Sequence, residues 1–216
     1  MFKYYITKED FNALKKDIKF MNAIRLLRME NIIITFLSLI TKTYSNDTNS
    51  DRRDRMEIIL YYGAVLYESL NTIYNMKAQL ENLNEYKRHI KDINYLFQEL
   101  NNPDSFVKTI LKRIRDKLTF HFDEDVFQEV ILKMDLSEDE LTILEAESER
   151  SIDVNYTTIP TLYYNYLISY INEDWPEEEK IKYIINKMNS IATKLREVIG
   201  NIAGELLIGT VHHKEN

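Results

Sequence analysis

The feature that most restricts the fold of this chain is its scarcity of helix-breaking residues. Only 4 glycines and 3 prolines occur among 216 residues. Tight turns depend heavily on these two residue types, so a fold with many strands and hairpins would lack the residues that its turns need. Long helices need few breaks. The sequence therefore predicts an all-α protein, a bundle of long amphipathic helices.

Apolar residues at helical spacing mark the first two helices. The first is predicted from about Thr7, a suitable N-cap, to about Tyr44, with Asn31 as a candidate break. The polar run 45–50 is the clearest loop in the chain. Ser50, at its end, is predicted to cap a second long helix.

Three further helices follow in the pattern. One is predicted over 85–101. Asn102-Pro103 predicts the start of the next, because asparagine caps helices well and proline is tolerated in the first turn; its apolar stripe ends at Leu118. Asp123 is predicted to cap a helix that extends to Met134. The intervals between these helices are short, as in a bundle.

The segment 138–158 departs from the helical pattern. Two short runs of β-favouring residues are separated there by charged residues, so a short β-hairpin and an irregular loop both remain open. Helical spacing resumes over 162–171 and again after Asp174, with the longest stripe in the chain ending at Leu206. We expect one domain over residues 1–209 and a disordered C-terminal tail over 210–216.

Composition restricts the classes of function. The chain has no cysteine, which excludes disulfides, thiolate metal sites and cysteine nucleophiles. Its longest apolar stretch, Ile32 to Ile40, is far shorter than the roughly 20 residues that span a bilayer, so we expect a cytoplasmic protein without a membrane segment. The net charge of −7 argues against binding duplex nucleic acid over the whole surface, because such binding depends on releasing counterions from phosphates. Any nucleic-acid site must be a local basic patch.

Such a patch is present in the segment 108–123. Its basic residues outnumber its two acidic residues, Asp116 and Asp123, in an otherwise acidic chain. The steps of four and three residues from Lys108 to Lys112 to Arg115 predict a basic ridge on one helix face. The basic residues are Lys108, Lys112, Arg113, Arg115 and Lys117.

The end of this segment resembles a known motif. Arg115 is followed directly by Asp116, and five residues lie between Arg115 and His121. The aromatic residues Phe120 and Phe122 flank the histidine. This pattern is similar to the signature of the HEPN superfamily, in which four to six residues lie between an arginine and a histidine near the end of a helix. An earlier long helix that contains Tyr67-Glu68 also resembles the architecture of that family.

The resemblance implies a metal-independent endoribonuclease or an RNA-binding protein, with no cofactor and no metal. A ribonuclease of this kind needs a group that accepts the proton of a ribose 2′-hydroxyl and a cation that stabilises charge on the phosphate. His121 and Arg115 suit these two roles. Asp116 would orient Arg115 or a water molecule. Glu68 is either a carboxylate that faces the cleft and positions Arg115 or a surface carboxylate. The lysines that would bind RNA are Lys108, Lys112 and Lys117.

The spacing of the motif bears on its quaternary structure. Six residues along an ideal helix turn through about 600°, which leaves Arg115 and His121 about 120° apart. Either the helix ends between them or two motifs meet across a two-fold axis. HEPN proteins are known for the second arrangement, so the resemblance implies a homodimer with a composite basic cleft.

Other readings remain open. In the alternative interpretation, the chain is a noncatalytic helical scaffold in which Arg115 pairs with Asp116 or with a neighbouring helix. A third hypothesis is a regulator that senses a nucleotide. The resemblance also implies a toxin or antiphage defence system, with an antitoxin or another defence protein as partner. Position 123, two residues after the histidine, is aspartate where relatives controlled by modification carry tyrosine, so that form of control is doubtful. His89, in a charged run, is predicted on a solvated helix face.

Overall fold

The computed structural model describes residues 2–43, 49–119, 145–146, 154–155, 167–171, 174–208 and 212–215. Most of these residues are helical, as the scarcity of glycine and proline predicts. The predicted helix after Asp123 and the first part of the one over 162–171 lie outside the described residues. No described helix has both the length and the apolar character that crossing a membrane requires.

Two helices form the first predicted helical region. Helix α1 spans Lys8–Leu14 and is capped by Thr7, whose hydroxyl accepts a hydrogen bond from the N–H of Asp10. Helix α2 spans Ile18–Thr43 without a break at Asn31. The break lies at 15–17 instead, because the Asp17 carboxylate accepts hydrogen bonds from the N–H groups of Lys19 and Phe20 and so caps α2.

Helix α3, Asn49–Leu80, runs antiparallel to α2. The amide of Asn22 near the start of α2 donates to Gln79 near the end of α3, and Phe36, later in α2, stacks on Tyr62, earlier in α3. The predicted helix over 85–101 is two helices, α4 over Asn84–Arg88 and α5 over Ile90–Asn101. His89 separates them, with backbone angles of −95° and 14° that depart from the helical region.

Helix α6 spans residues 106–119 and contains two π-helical segments, Val107–Leu111 and Ile114–Thr119. Asn102 does not cap it, although the sequence predicted that role. The side chain of Asn102 instead accepts from Asp104, in the turn before the helix. Ser105 is the cap, because its hydroxyl accepts a hydrogen bond from the N–H of Lys108.

Helix α7, Glu177–Leu207, is the long final helix that the sequence predicts. It packs against α2, where Arg196 Nε lies 3.7 Å from Glu30 Oε1. One contiguous hydrophobic core joins the long helices. Its largest fully buried side chains include those of Tyr62, Leu66, Leu111, Ile114 and Leu167.

Two short antiparallel strand pairs accompany the helices. Strand β1, Phe2–Tyr5, pairs with β4, His212–Glu215, with Phe2 opposite Glu215. The C-terminal residues 212–215 are therefore in a strand, which differs from the predicted disordered tail, because the ladder supplies backbone partners that a sequence pattern does not reveal. Strands β2, Glu145–Ala146, and β3, Val154–Asn155, pair within the segment where a hairpin and a loop were both open.

Candidate functional site

Arg115 lies at the contact between α6 and α3. Its Nε donates to Glu68 Oε1 at 2.5 Å, and its Nη1 donates to Asp116 Oδ1 at 2.8 Å. Asp116 also pairs with Lys112, whose Nζ lies 3.1 Å from Oδ2. These four residues, hereafter the Arg115 cluster, comprise two cations and two carboxylates.

A close helix approach positions the cluster. Gly63 lies on α3 five residues before Glu68, and a Cβ built on it would be only 2.7 Å from Ile114 Cδ1 and 3.4 Å from Leu111 Cδ2. The absence of a side chain at Gly63 therefore lets α6 lie directly on α3. Ile114 directly precedes Arg115 in sequence. Its burial in this contact places the guanidinium beside Glu68.

The π-helical turns of α6 carry the cluster. The N–H of Lys112 donates to the carbonyl of Val107, five residues earlier, which is the hydrogen bond that defines a π turn. Such turns are rare in proteins, and those that occur are often found at functional sites. Lys112 lies between the two π segments, and both Arg115 and Asp116 belong to the second, Ile114–Thr119.

The side chains of the cluster are partly exposed. Arg115 keeps 37% of its side-chain surface and Asp116 keeps 29%. Hydrogen bonds to Asp116 and to Glu68 raise the pKa of Arg115. Burial by itself would raise the pKa of Asp116, but hydrogen bonds from Arg115 and Lys112 outweigh it and lower that pKa overall. Both shifts favour the charged forms of Arg115 and Asp116, and the formal charges of the two basic and two acidic residues of the cluster sum to zero.

The guanidinium retains unused donor capacity. Arginine has five N–H donors, of which Glu68 and Asp116 take one each. In the part of the chain that the structure describes, the other three have no acceptor. An anion with oxygens at suitable spacing can bind these donors without breaking either existing bond.

The structure brings together only some of the predicted site residues. Arg115, Asp116, Lys112 and Glu68 are in contact. Glu68 contacts Arg115 while 46% of its own side chain stays exposed, and its positioning role stays a prediction. Lys108 is half-buried on α6, and no contact between it and the cluster occurs among the described residues. Lys117 lies in the last π segment, but its side chain is outside the description, and His121 is outside it altogether.

Other residues that carry polar contacts differ from the sequence interpretation. His89 was predicted on a solvated face, yet only 10% of its side chain is exposed. Its Nε2 lies 3.0 Å from Asn201 Nδ2 on α7 and 3.6 Å from Glu85 Oε2, so the prediction is wrong. The helix break at His89 turns the ring toward α7. Gly63 was also missed, although a lone glycine within an apolar helical stripe is a recognisable sign of a close contact.

No group of three or more acidic, histidine or cysteine side chains that could hold a metal ion occurs within the described ranges. Comparisons of the chain with protein-family models, with curated proteins and with solved structures found no match.

Proposed function

We propose that this chain binds RNA at the Arg115 cluster and cleaves it without a metal ion, as a HEPN-like endoribonuclease. The observation that supports this most is the state of Arg115. Its guanidinium is fixed in orientation by Glu68 and Asp116, is partly exposed, and has three N–H donors without an acceptor among the described residues. A preorganised donor set that faces solvent is what stabilising a phosphate in a transition state requires.

In the proposed reaction, His121 accepts the proton of a ribose 2′-hydroxyl. The 2′-oxygen forms a bond to phosphorus, the bond from phosphorus to the 5′-oxygen breaks, and a cyclic phosphate results. The imidazolium or a water molecule supplies the proton that the departing 5′-oxygen needs. Arg115 stabilises the charge that builds on the phosphate oxygens.

Two carboxylates have a positioning role in this proposal. Glu68 and Asp116 hold the guanidinium from two directions, and Lys112 adds a second cation beside Asp116. Lys108 and Lys117 would contact the RNA backbone on either side. A homodimer in which each motif completes the other is part of this proposal, and it rests on the resemblance to HEPN proteins. A place in a toxin or antiphage defence system, with a protein partner, is part of the same proposal and rests on the motif alone.

A noncatalytic helical scaffold is the second candidate, and one observation favours it. The Arg115 cluster is electrically neutral, because Glu68 and Asp116 balance Arg115 and Lys112. A neutral cluster attracts phosphate less strongly than an unpaired basic patch does. In this reading the cluster joins α6 to α3, and the exposed apolar residues serve protein partners.

The two candidates separate in an RNA cleavage assay with EDTA present. We expect the wild type to cleave total cellular RNA, and Arg115→Ala and His121→Ala to abolish the cleavage. Arg88→Ala is the matched control, since Arg88 is an exposed arginine that pairs with Glu85 and lies away from the Arg115 cluster on α4. Arg115→Lys tests the fork, because lysine keeps the charge but cannot make the two-directional contact.

Equal cleavage by all four variants would remove the motif as the active site and support the scaffold. RNA binding without cleavage, lost in Arg115→Ala and kept in Arg88→Ala, would retain the binding function and reject the nuclease. Circular dichroism and size-exclusion measurements on each variant ensure that folding and oligomeric state are matched.

A further inference from the structure

Exposed apolar residues are concentrated where α1 meets the start of α2. Ile18 keeps 63% of its surface and Met21 keeps 51%, although both lie in a region that otherwise packs into the core. Phe11, which contacts Phe20 edge-on at 6.0 Å, and Ile24 are also exposed. A cluster of large apolar side chains in solvent is unfavourable unless something covers it.

This surface cannot fold back into the core, because α2 is held by its opposite side. Ala23 and Leu26 are buried in the hydrophobic core. The amide of Asn22 donates to Gln79 of α3 at 2.6 Å. Rotating α2 to bury Ile18 and Met21 would expose these residues instead. The exposed surface is therefore a fixed property of the folded bundle.

Basic side chains flank the apolar ones. At 100° per residue, one arc of about 120° on α2 holds Ile18, Met21, Ile24, Arg25 and Arg28. Within the described residues no carboxylate pairs with either arginine, nor with Lys16 or Lys19. We call this surface the α2 face, and its members are Phe11, Lys15, Lys16, Ile18, Met21, Ile24, Arg25 and Arg28, all of them exposed.

The charge of the α2 face contrasts with that of the chain. Residues 8–28 contain six basic and three acidic residues and so have a net charge of +3. Because the whole chain has a net charge of −7, its remaining residues have a net charge of −10. Two of the three carboxylates, Asp10 and Asp17, lie at the starts of α1 and α2. The face is a local positive region on an acidic protein.

We infer that the α2 face binds an acidic amphipathic helix of a partner protein. The apolar side chains at Ile18, Met21 and Ile24 would contact the apolar stripe of that helix, and Arg25 and Arg28 would pair with its carboxylates. Exposed apolar residues flanked by basic residues are complementary to a helix whose apolar stripe is flanked by acidic residues.

The charge distribution favours a single helix over a lipid surface. An anionic bilayer is an extended plane, so it would also lie beside exposed carboxylates that adjoin the α2 face, such as those of Glu9 and Asp17, and these would repel it. A single helix covers a narrower surface, and charges farther than about 10 Å from its contact are largely screened. The proposed partner site is independent of the Arg115 cluster, whose residues lie on α3 and α6.

Binding can be measured with the full chain and a synthetic helical peptide of about 20 residues, built from leucine at helical spacing with glutamate elsewhere. A scramble of the same composition controls for charge. We expect micromolar binding of the helical peptide by fluorescence anisotropy, and at least about tenfold weaker binding by Arg25→Glu with Arg28→Glu. Lys87→Glu with Lys91→Glu makes the same charge change on exposed residues of α4 and α5 and should have little effect.

Two further variants separate packing from charge. Ile18→Ser should weaken binding by about tenfold, whereas Ile90→Ser, at another exposed isoleucine, should not. Arg25→Lys with Arg28→Lys should keep most of the affinity, because the charge is retained.

Several results would overturn the inference. The first is that the helical peptide does not bind. The second is that the scrambled peptide binds as tightly as the helical one. The third is that Lys87→Glu with Lys91→Glu weakens binding as much as Arg25→Glu with Arg28→Glu does. Binding to phosphatidylglycerol vesicles that depends on Arg25 and Arg28, with no binding of the peptide, would assign the face to lipid. Loss of self-association in Ile18→Ser, again without peptide binding, would assign it to a second copy of the chain.

Discussion

Replacing Gly63 tests the contact between α3 and α6. The Cβ of Gly63→Ala would lie 2.7 Å from Ile114 Cδ1 and 3.3 Å from Ile114 Cγ2. Ile114 is fully buried, so its side chain has little room to yield. Overpacking of this kind costs about 1–3 kcal/mol, and the higher helix propensity of alanine returns about 1 kcal/mol. We expect the substitution to lower the free energy of unfolding by about 0–2 kcal/mol.

A second substitution removes the clash. Ile114→Val lacks the Cδ1 atom that lies nearest to the added Cβ, and on its own it should cost about 0.5–1.5 kcal/mol. In that background Gly63→Ala retains only the milder contacts, so the gain in helix propensity should dominate and the substitution should become neutral or stabilising. The coupling energy between the two sites should be about 1–3 kcal/mol.

Urea unfolding followed by circular dichroism measures the four free energies of this cycle. Gly204→Ala is the matched control, because a Cβ at Gly204 has nothing within 4 Å and the substitution should stabilise the protein by about 1 kcal/mol. The contrary result is that Gly63→Ala stabilises the wild type and the Ile114→Val variant as much as Gly204→Ala does. That result would contradict the close contact between Gly63 and Ile114, and with it the role of this contact in positioning Arg115.

Three further predictions concern single side chains. The Tyr62 hydroxyl is buried without a hydrogen-bond partner among the described residues, and burial raises its pKa, so Tyr62→Phe should raise the melting temperature and the free energy of unfolding by about 1 kcal/mol. Ser105→Ala should cost about 1 kcal/mol in urea unfolding, because it removes the cap of α6; unchanged stability would contradict that role. The lowered pKa of Asp116 means that this group stabilises the fold above its unfolded pKa of about 3.9 and loses that contribution as the pH falls through the folded value. Asp116→Asn should therefore lose less stability than the wild type between about pH 6 and pH 3, measured by urea unfolding.

The sequence predicts those parts of the fold that depend on local pattern. The apolar stripe that ends at Leu206 marks α7, and Thr7 caps α1 as predicted. Glu68 and Arg115 were named as a pair from a motif and a neighbouring helix, and the structure has them in contact. What that contact does chemically remains a prediction.

Other features depend on neighbours distant in the chain and have no local signature. Asn102 is a good cap by residue type, but the helix begins after Ser105 because a turn intervenes. His89 stands in a charged run, and only the packing of α7 against α4 and α5 shows that its ring is covered. The sequence pattern of α6 did not predict its two π-helical segments. The basic ridge from Lys108 to Arg115 was predicted with α-helical spacing, which does not apply to these segments.

The start of α4 depends on the end of α7. Both carboxylate oxygens of Glu205 accept backbone N–H groups, those of Asn84 at 2.9 Å and Glu85 at 2.7 Å, across more than a hundred residues of sequence. These two amide protons are protected from exchange with solvent only while the last turns of α7 are docked. Their exchange rates consequently serve as a probe of local opening at that end of the bundle, and a ligand that loosens or tightens α7 would change them even where the overall unfolding transition stays the same.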